Sequence, residues 1–152
     1  MGFQIEIIDA QPQPALAIRT TVPVERLGEE VGKAYGMVIG YLASLGEQAQ
    51  GPAFICYHSM DMAALDVEIG FPVPREIPGA GPVIATQIAG GRRAVTHYKG
   101  PYEGLKEPYE ALMGWIPSQG ETWQGMSYEF YFNSPDEVPP SELLTRIELL
   151  LA

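Results

Sequence analysis

One glutamate lies within an aromatic strand near the end of the chain, in the segment SYEFYF at 127–132. Side chains alternate between the two faces of a strand, so Glu129 and Tyr131 are predicted on one face and Tyr128, Phe130 and Phe132 on the other. An isolated charge in apolar surroundings is costly unless it is paired or hydrated. Glu129 is therefore predicted either to face a water-filled groove and a ligand, or to lie on a solvent-exposed strand face.

A second group of reactive side chains is Cys56 and His58, two residues apart on one predicted strand face. A single cysteine excludes an internal disulfide, and the favoured interpretation of Cys56 is a small buried hydrophobic side chain. The alternative is a catalytic thiol with His58 as its base. His58 and His97 have neither HxxxH nor HxH spacing, so the sequence predicts no metal site and no cofactor.

Other acidic residues have simpler interpretations. Glu25 and Glu103 follow prolines at predicted helix starts, where an acid stabilises the positive end of the helix dipole. Asp66 and Glu68 alternate on one strand face and are predicted to be solvent-exposed. The sequence contains no GxSxG, GxGxxG or Walker pattern.

The composition limits the class of protein and of partner. The 152 residues, 46% hydrophobic and 18% charged, are typical of one globular domain. A formal net charge of −10 repels phosphates, so direct nucleic-acid binding is not expected, and it mildly favours cationic partners. The sequence shows no signal-peptide pattern and no apolar run of the roughly 20 residues that cross a bilayer, which predicts a cytoplasmic protein without membrane contact.

Apolar periodicity predicts an α+β fold. Two helices with a 3.6-residue apolar period are expected at about 22–45 and 101–116, and Pro108 is expected to kink the second. Two pairs of strands, each joined by a short turn, are predicted to form hairpins, 3–9 with 15–20 and 83–89 with 92–98. The other predicted strands are 53–58, 64–69, 127–132 and 142–150.

The second half of the chain repeats the first. AIRTTVPVERL at 17–27 aligns with AVTHYKGPYEGL at 94–105, FICYH at 54–58 with YEFYF at 128–132, and LDVEIG with LTRIEL. The alignment places Glu129 over Ile55 and Tyr109 over Val31. It predicts a tandem strand–helix–strand–strand fold with halves at about 1–75 and 76–152, antiparallel sheets, and a ligand groove between the halves.

The segments IAGGRRAVTHYKGPYEGLKEPYEALMGW and YEFYFNSPDEVPPSELLTRI, together with LDVEIGFPV, resemble the GyrI-like small-molecule-binding domain family. This family includes the effector-binding domains of multidrug-sensing and AraC-type transcription regulators. The resemblance implies a ligand groove with Glu129 at its base, attracting cationic drugs. The ligand-binding residues expected from the resemblance and from the strand pattern are Glu129, Trp115, Tyr57, Tyr131, Ile55 and Glu68.

Several functions are compatible with this resemblance. The first expectation is a stand-alone binder that senses or sequesters amphipathic, aromatic, cationic compounds. Some relatives resemble hydrolases of cyclopropane-bearing toxins, in which case Glu129 would be catalytic with Tyr57, Tyr131 or Glu68 as polar partners. Others bind DNA gyrase, which makes a protein partner a further alternative, and haem-binding proteins share the architecture more distantly.

Overall fold

Alternating apolar residues and glycine- or proline-rich turns divide the described residues, 3–152, into eight antiparallel strands and two α-helices in the computed structural model. Three short 3₁₀ turns, at Val24–Arg26, Tyr102–Gly104 and Pro140–Glu142, precede helices or a strand. The predicted α+β class is confirmed. Neither helix in this described part has the length and apolar character that crossing a membrane requires.

One compact unit comprises Gln11–Gly90. Its strands are β2 (Gln13–Val22), β3 (Ala53–Tyr57), β4 (Leu65–Pro72) and β5 (Ile84–Ile88), in the order β3-β4-β2-β5, and its helix is α1 (Leu27–Ser44). Val38 and Leu42 of α1 pack on Leu16 of β2 in a buried apolar cluster, so α1 covers one face of this sheet.

The other compact unit comprises the described residues 3–10 and 91–152. Its strands are β1 (Glu6–Ala10), β6 (Gly91–Lys99), β7 (Trp123–Tyr131) and β8 (Leu144–Leu151), in the order β1-β6-β8-β7, and its helix is α2 (Lys106–Ser118). Leu112 and Ile116 of α2 pack on Ile147 and Leu149 of β8, so α2 likewise covers one face of the sheet.

Both predicted hairpins are wrong. Strand β1 pairs antiparallel with β6, and β5 pairs antiparallel with β2, so each strand belongs to the sheet of the other sequence half. Neither link, at 11–12 or at 89–90, forms a turn, and at the first of them Pro12 lacks an amide hydrogen and disfavours a helical conformation for the preceding Gln11. Each link therefore carries the chain from one unit to the other, and the duplication of the two halves stays a prediction.

The helices begin later than the sequence predicts. Helix α1 starts at Leu27 after a 3₁₀ turn, and α2 starts at Lys106. Pro108 therefore falls in the first turn of α2, where an amide has no intrahelical acceptor, and the predicted kink there is wrong. Gly46 follows the end of α1 with φ of 70°, the left-handed conformation that ends helices and that glycine adopts without strain.

Candidate functional site

Glu129 lies on the helix-covered face of its sheet and is only 5% exposed. It stands opposite Ile147 in the β7–β8 register, and Ile147 packs under α2. Strand alternation then places Tyr131 on the same face and Tyr128 and Phe130 on the other, as the sequence predicts. A solvent-exposed Glu129, the second interpretation of the sequence, is excluded by its burial.

The carboxylate of Glu129 accepts hydrogen bonds at both oxygens. The Tyr109 hydroxyl, from α2, lies 2.5 Å from Oε2, and the Tyr131 hydroxyl, from the same strand, lies 2.5 Å from Oε1. Each oxygen of the side chain thus has its own tyrosine partner, and hydrogen bonds to carboxylates are among the stronger ones in proteins. The two tyrosines fix the orientation of the carboxyl group, and neither is a cation that would neutralise a charge on it.

A third tyrosine extends this site towards solvent. The ring of Tyr102, in the turn before α2, meets the ring of Tyr131 edge-on with centroids 5.8 Å apart, and Tyr102 is 37% exposed. Burial raises the pKa of the Tyr102 hydroxyl, and the nearby Glu129 carboxylate raises it further. Tyr102, Tyr109, Glu129 and Tyr131 are called the tyrosine–glutamate site below. It combines a negative charge with aromatic rings that reach the surface.

Two hydroxyls flank Glu129 on the same sheet face. Ser127 precedes it by two residues in β7, and Thr145 stands opposite Tyr131 in β8. Both side chains are fully buried, and neither Ser127 Oγ nor Thr145 Oγ1 has a hydrogen-bond partner among the described residues. Unpartnered buried hydroxyls are uncommon in native structures and mark this face as more polar than packing requires.

The remaining predicted ligand residues are distributed over both units. Trp115 lies on α2, partly buried against the core of its unit. Ile55 and Tyr57 are buried on the α1-covered face of the other unit, where Ile55 stands opposite Ile69. Ile55 and Glu129, which the repeat alignment matches, each lie on the helix-covered face of their own sheet.

Glu68 departs from the sequence expectation. It is 8% exposed rather than solvent-facing, and it lies on the sheet face that α1 does not cover, opposite Cys56 and Arg19. Its Oε2 lies 2.6 Å from His58 Nε2, and its Oε1 accepts a hydrogen bond from Thr86 Oγ1 at 2.8 Å. The expectation of exposure was wrong because the strand face opposite α1 is also covered at this position.

The sequence expectation of ligand-binding residues omitted Tyr109 and Tyr102. The signal that identifies Tyr109 is the same as for Glu129: the repeat alignment puts a tyrosine hydroxyl over Val31 of the first half. Tyr102 has no comparable signal, because its approach to Tyr131 depends on where the 3₁₀ turn before α2 ends.

Several solved structures share this fold. The C-terminal domain of EcmrR is 20% identical, with a TM-score of 0.83 over 100% of this chain and 99% of that one. EcmrR in a complex with DNA is 19% identical, with a TM-score of 0.87 over 98% of this chain. This chain spans 57% of that longer EcmrR chain. A hydrolase from Listeria innocua is 13% identical, with a TM-score of 0.71 over 98% of this chain and 92% of that one.

A further similar structure is that of SAV2435 bound to tetraphenylphosphonium, 11% identical with a TM-score of 0.67 over 100% of this chain and 94% of that one. No curated protein matches the sequence significantly. The model of the GyrI-like small molecule binding domain matches residues 3–152, nearly the full length. On that match, this chain belongs to the GyrI-like small-molecule-binding domain family.

Proposed function

We propose that this protein binds small amphipathic aromatic cations at the tyrosine–glutamate site and acts as a sensor or a sequestering protein for them. The observation that carries the proposal is the buried carboxylate of Glu129, held at both oxygens by the hydroxyls of Tyr109 and Tyr131. The repeat alignment matches Glu129 with Ile55, which supports a ligand-related role for the acid rather than a need of the fold.

The chemistry of the site favours a lipophilic cation. A carboxylate in a partly desolvated environment attracts a positive charge more strongly than one in water does. Aromatic rings beside it contribute cation–π attraction of about 0.5–2 kcal/mol each. The net charge of −10 adds a general field that favours cations over anions.

The comparisons support the same class of ligand. The family is one of small-molecule-binding domains, and SAV2435 has been solved with tetraphenylphosphonium, which is a lipophilic aromatic cation. EcmrR, which shares the fold, has been solved in complex with DNA. A role in transcription would require this protein to act through a partner or further sequence, since its nine Lys and Arg residues include no run longer than Arg92-Arg93.

Hydrolysis is the second candidate, and the observation in its favour is the fold shared with a Listeria innocua hydrolase. Glu129 would then activate water or protonate a leaving group, with Tyr109 and Tyr131 as its polar neighbours. Incubation with a cyclopropane-bearing toxin, followed by mass spectrometry, separates the two functions. A binder retains one equivalent of unchanged compound, whereas a hydrolase releases product over many turnovers.

A direct contact with DNA gyrase stays a prediction, and a supercoiling assay with and without this protein tests it.

The binding proposal is tested by titrating a rhodamine dye and following its fluorescence anisotropy. Glu129→Gln keeps the shape of the side chain and removes its charge, so we expect affinity to fall by about 1–3 kcal/mol. Glu110→Gln is the matched control, since it removes the same charge from an α2 side chain that is 67% exposed. Equal affinities for wild type and Glu129→Gln would refute the proposed site.

A further inference from the structure

Three different metal-ligating side chains converge on the sheet face of the Gln11–Gly90 unit that α1 leaves uncovered. Sγ of Cys56, a ring nitrogen of His58 and a carboxylate oxygen of Glu68 all lie within 4.8 Å of one another. Cys56 Sγ is 3.8 Å from His58 Nε2, and His58 Nε2 is 2.6 Å from Glu68 Oε2. This group is called the Cys–His–Glu cluster below.

The strand register produces this convergence. Cys56 stands directly opposite Glu68 in the β3–β4 ladder, so their side chains lie on the same face. His58 follows Cys56 by two residues, and its amide continues the ladder with a hydrogen bond to the Asp66 carbonyl. The three ligating atoms are thus positioned by paired backbone rather than by a loop.

The geometry does not fit a catalytic Cys–His–Glu relay. In such a relay one ring nitrogen of histidine faces the thiol and the other faces the carboxylate. Here the same nitrogen, Nε2, faces both Cys56 Sγ and Glu68 Oε2. A single nitrogen cannot take a proton from the thiol while it donates one to the carboxylate. All three ligating atoms instead lie within 4.8 Å of one another, close enough to share one ion.

We propose that Cys56, His58 and Glu68 bind one divalent transition-metal ion, and that Zn²⁺ matches this ligand set best. Thiolate, imidazole and carboxylate are the three ligand types that zinc uses in proteins, whereas Mg²⁺ and Ca²⁺ prefer oxygen ligands alone. A thiolate and a carboxylate carry two negative charges, which neutralise the two positive charges of the ion in a largely buried place.

The surroundings of the cluster match those of protein metal sites. The Thr86 hydroxyl donates to Glu68 Oε1 at 2.8 Å and so directs Oε2 towards His58. Ligating carboxylates in metalloproteins are oriented in this way by outer hydrogen bonds. Cys56 and Glu68 are 1% and 8% exposed, while the His58 side chain is 22% exposed. The histidine side therefore gives an ion access from solvent, and three protein ligands leave a fourth position for water or an exogenous ligand.

This site is separate in its chemistry from the proposed cation site. It is built entirely within Gln11–Gly90, whereas the tyrosine–glutamate site is built from residues 102–131. It also gives Glu68, which the sequence assigned to the organic ligand, a different role. The sequence did not reveal the cluster because the third ligand comes from the neighbouring strand, ten residues beyond His58, and matches no zinc spacing.

The test is a Co²⁺ titration of the full chain without a histidine tag, followed by absorption spectroscopy. We expect saturation at one equivalent of Co²⁺ and thiolate-to-cobalt charge-transfer absorption in the near ultraviolet. Adding Zn²⁺ should displace the cobalt and remove this absorption. Cys56→Ser should abolish the charge-transfer band. His58→Gln and Glu68→Gln should each weaken binding at least ~10-fold, and Thr86→Val, which keeps all three ligands, should weaken it by ~10-fold.

His97→Gln is the matched control, because it removes the other histidine and should leave the titration unchanged. Circular dichroism establishes that each variant is folded. If Cys56→Ser does not fold, the wild type still decides the question: Zn²⁺ but not Mg²⁺ should raise its melting temperature in a concentration-dependent way. Absence of the charge-transfer band in wild type, wild-type affinity in Glu68→Gln and His58→Gln, or a melting temperature insensitive to Zn²⁺ would each overturn the proposal.

Discussion

The hydroxyl of Tyr109, on helix α2, lies 2.5 Å from Oε2 of Glu129, on strand β7. The helix that covers the sheet therefore also supplies a donor to the carboxylate buried beneath it. Tyr131 supplies a second donor from the strand itself. The site is thus held by two elements of regular structure, which is the arrangement that keeps a binding group in fixed geometry.

Removing either tyrosine hydroxyl is expected to destabilise the protein. Tyr109→Phe and Tyr131→Phe each remove one hydroxyl donor from a buried carboxylate oxygen, which we expect to lower the free energy of unfolding by about 1–3 kcal/mol. Urea denaturation measures the change. Tyr41→Phe is the control, because its hydroxyl bonds the exposed Pro78 carbonyl. If all three variants lose the same small amount of stability, the hydrogen bonds to Glu129 contribute no more to the free energy of unfolding than an exposed hydrogen bond does.

Glu129 and Ile55, which the repeat alignment matches, predict an asymmetry between the two units. Ile55→Glu introduces a carboxylate at a site that is 3% exposed and evolved for an apolar side chain, and we expect a loss of about 3–5 kcal/mol at neutral pH. The loss should shrink in acid, because the protonated carboxyl is less costly to bury. Ile55→Leu is the matched control and should cost under about 1.5 kcal/mol. An Ile55→Glu variant as stable as wild type at pH 7 would contradict the interpretation of position 55 as a site that requires an apolar side chain.

Glycines in helix and strand are predicted to respond oppositely to alanine. A Cβ at Gly36, on the exposed face of α1, meets nothing within 4 Å, so Gly36→Ala should stabilise the protein by up to about 1 kcal/mol through helix propensity. A Cβ at Gly70 would lie 2.0 Å from the Leu16 carbonyl oxygen, so Gly70→Ala should destabilise it by about 1–3 kcal/mol or more. Thermal unfolding compares the two, and a stabilising Gly70→Ala would show that the β2–β4 pairing is not as described.

The Arg19–Asp66 ion pair predicts a pH dependence. The hydrogen bonds from Arg19 to Asp66, at 3.0 and 2.8 Å, lower the pKa of the Asp66 carboxyl from its usual 3.8. A carboxyl whose folded-state pKa is lowered contributes stability above its unfolded pKa and loses it as the pH falls through the folded pKa.

The size of this effect is limited, since the two side chains are 50% and 36% exposed and a surface pair is worth about 0.2–1 kcal/mol. Asp66→Asn should therefore be less stable than wild type at pH 7, and the difference should diminish below about pH 4. Urea unfolding at a series of pH values measures it. A difference that is constant from pH 7 to pH 3 would mean that the ion pair is not its source.

Local patterns of the sequence predicted the elements of this fold, whereas the pairing of strands was not predictable from them. The apolar period of Ala34, Val38 and Leu42 identified α1, and these three residues are buried in the structure. The hairpin predictions failed because they assumed that strands joined by short links must pair. That assumption holds only where the link turns, whereas here β1 pairs with β6 and β5 pairs with β2.

The candidate sites were likewise predictable from the sequence only in part. Comparing the two halves identified Glu129, because a charge in place of Ile55 is visible in the sequence alone. The Cys–His–Glu cluster was not visible, because Glu68 meets Cys56 only through the β3–β4 register, which depends on the conformation of residues 58–64. Burial of Glu68 was missed for a related reason: alternation predicts which face a side chain lies on, not whether that face is covered.

Calorimetric titration of wild type and Glu129→Gln with tetraphenylphosphonium and with the neutral triphenylphosphine oxide tests the proposed cation site at Glu129. We expect Glu129→Gln to weaken binding of the cation by about 1–3 kcal/mol and to leave binding of the neutral compound nearly unchanged. Glu110→Gln should behave as wild type with both compounds. Equal losses for the cation and the neutral compound, or no loss for either, would contradict a cation site at Glu129.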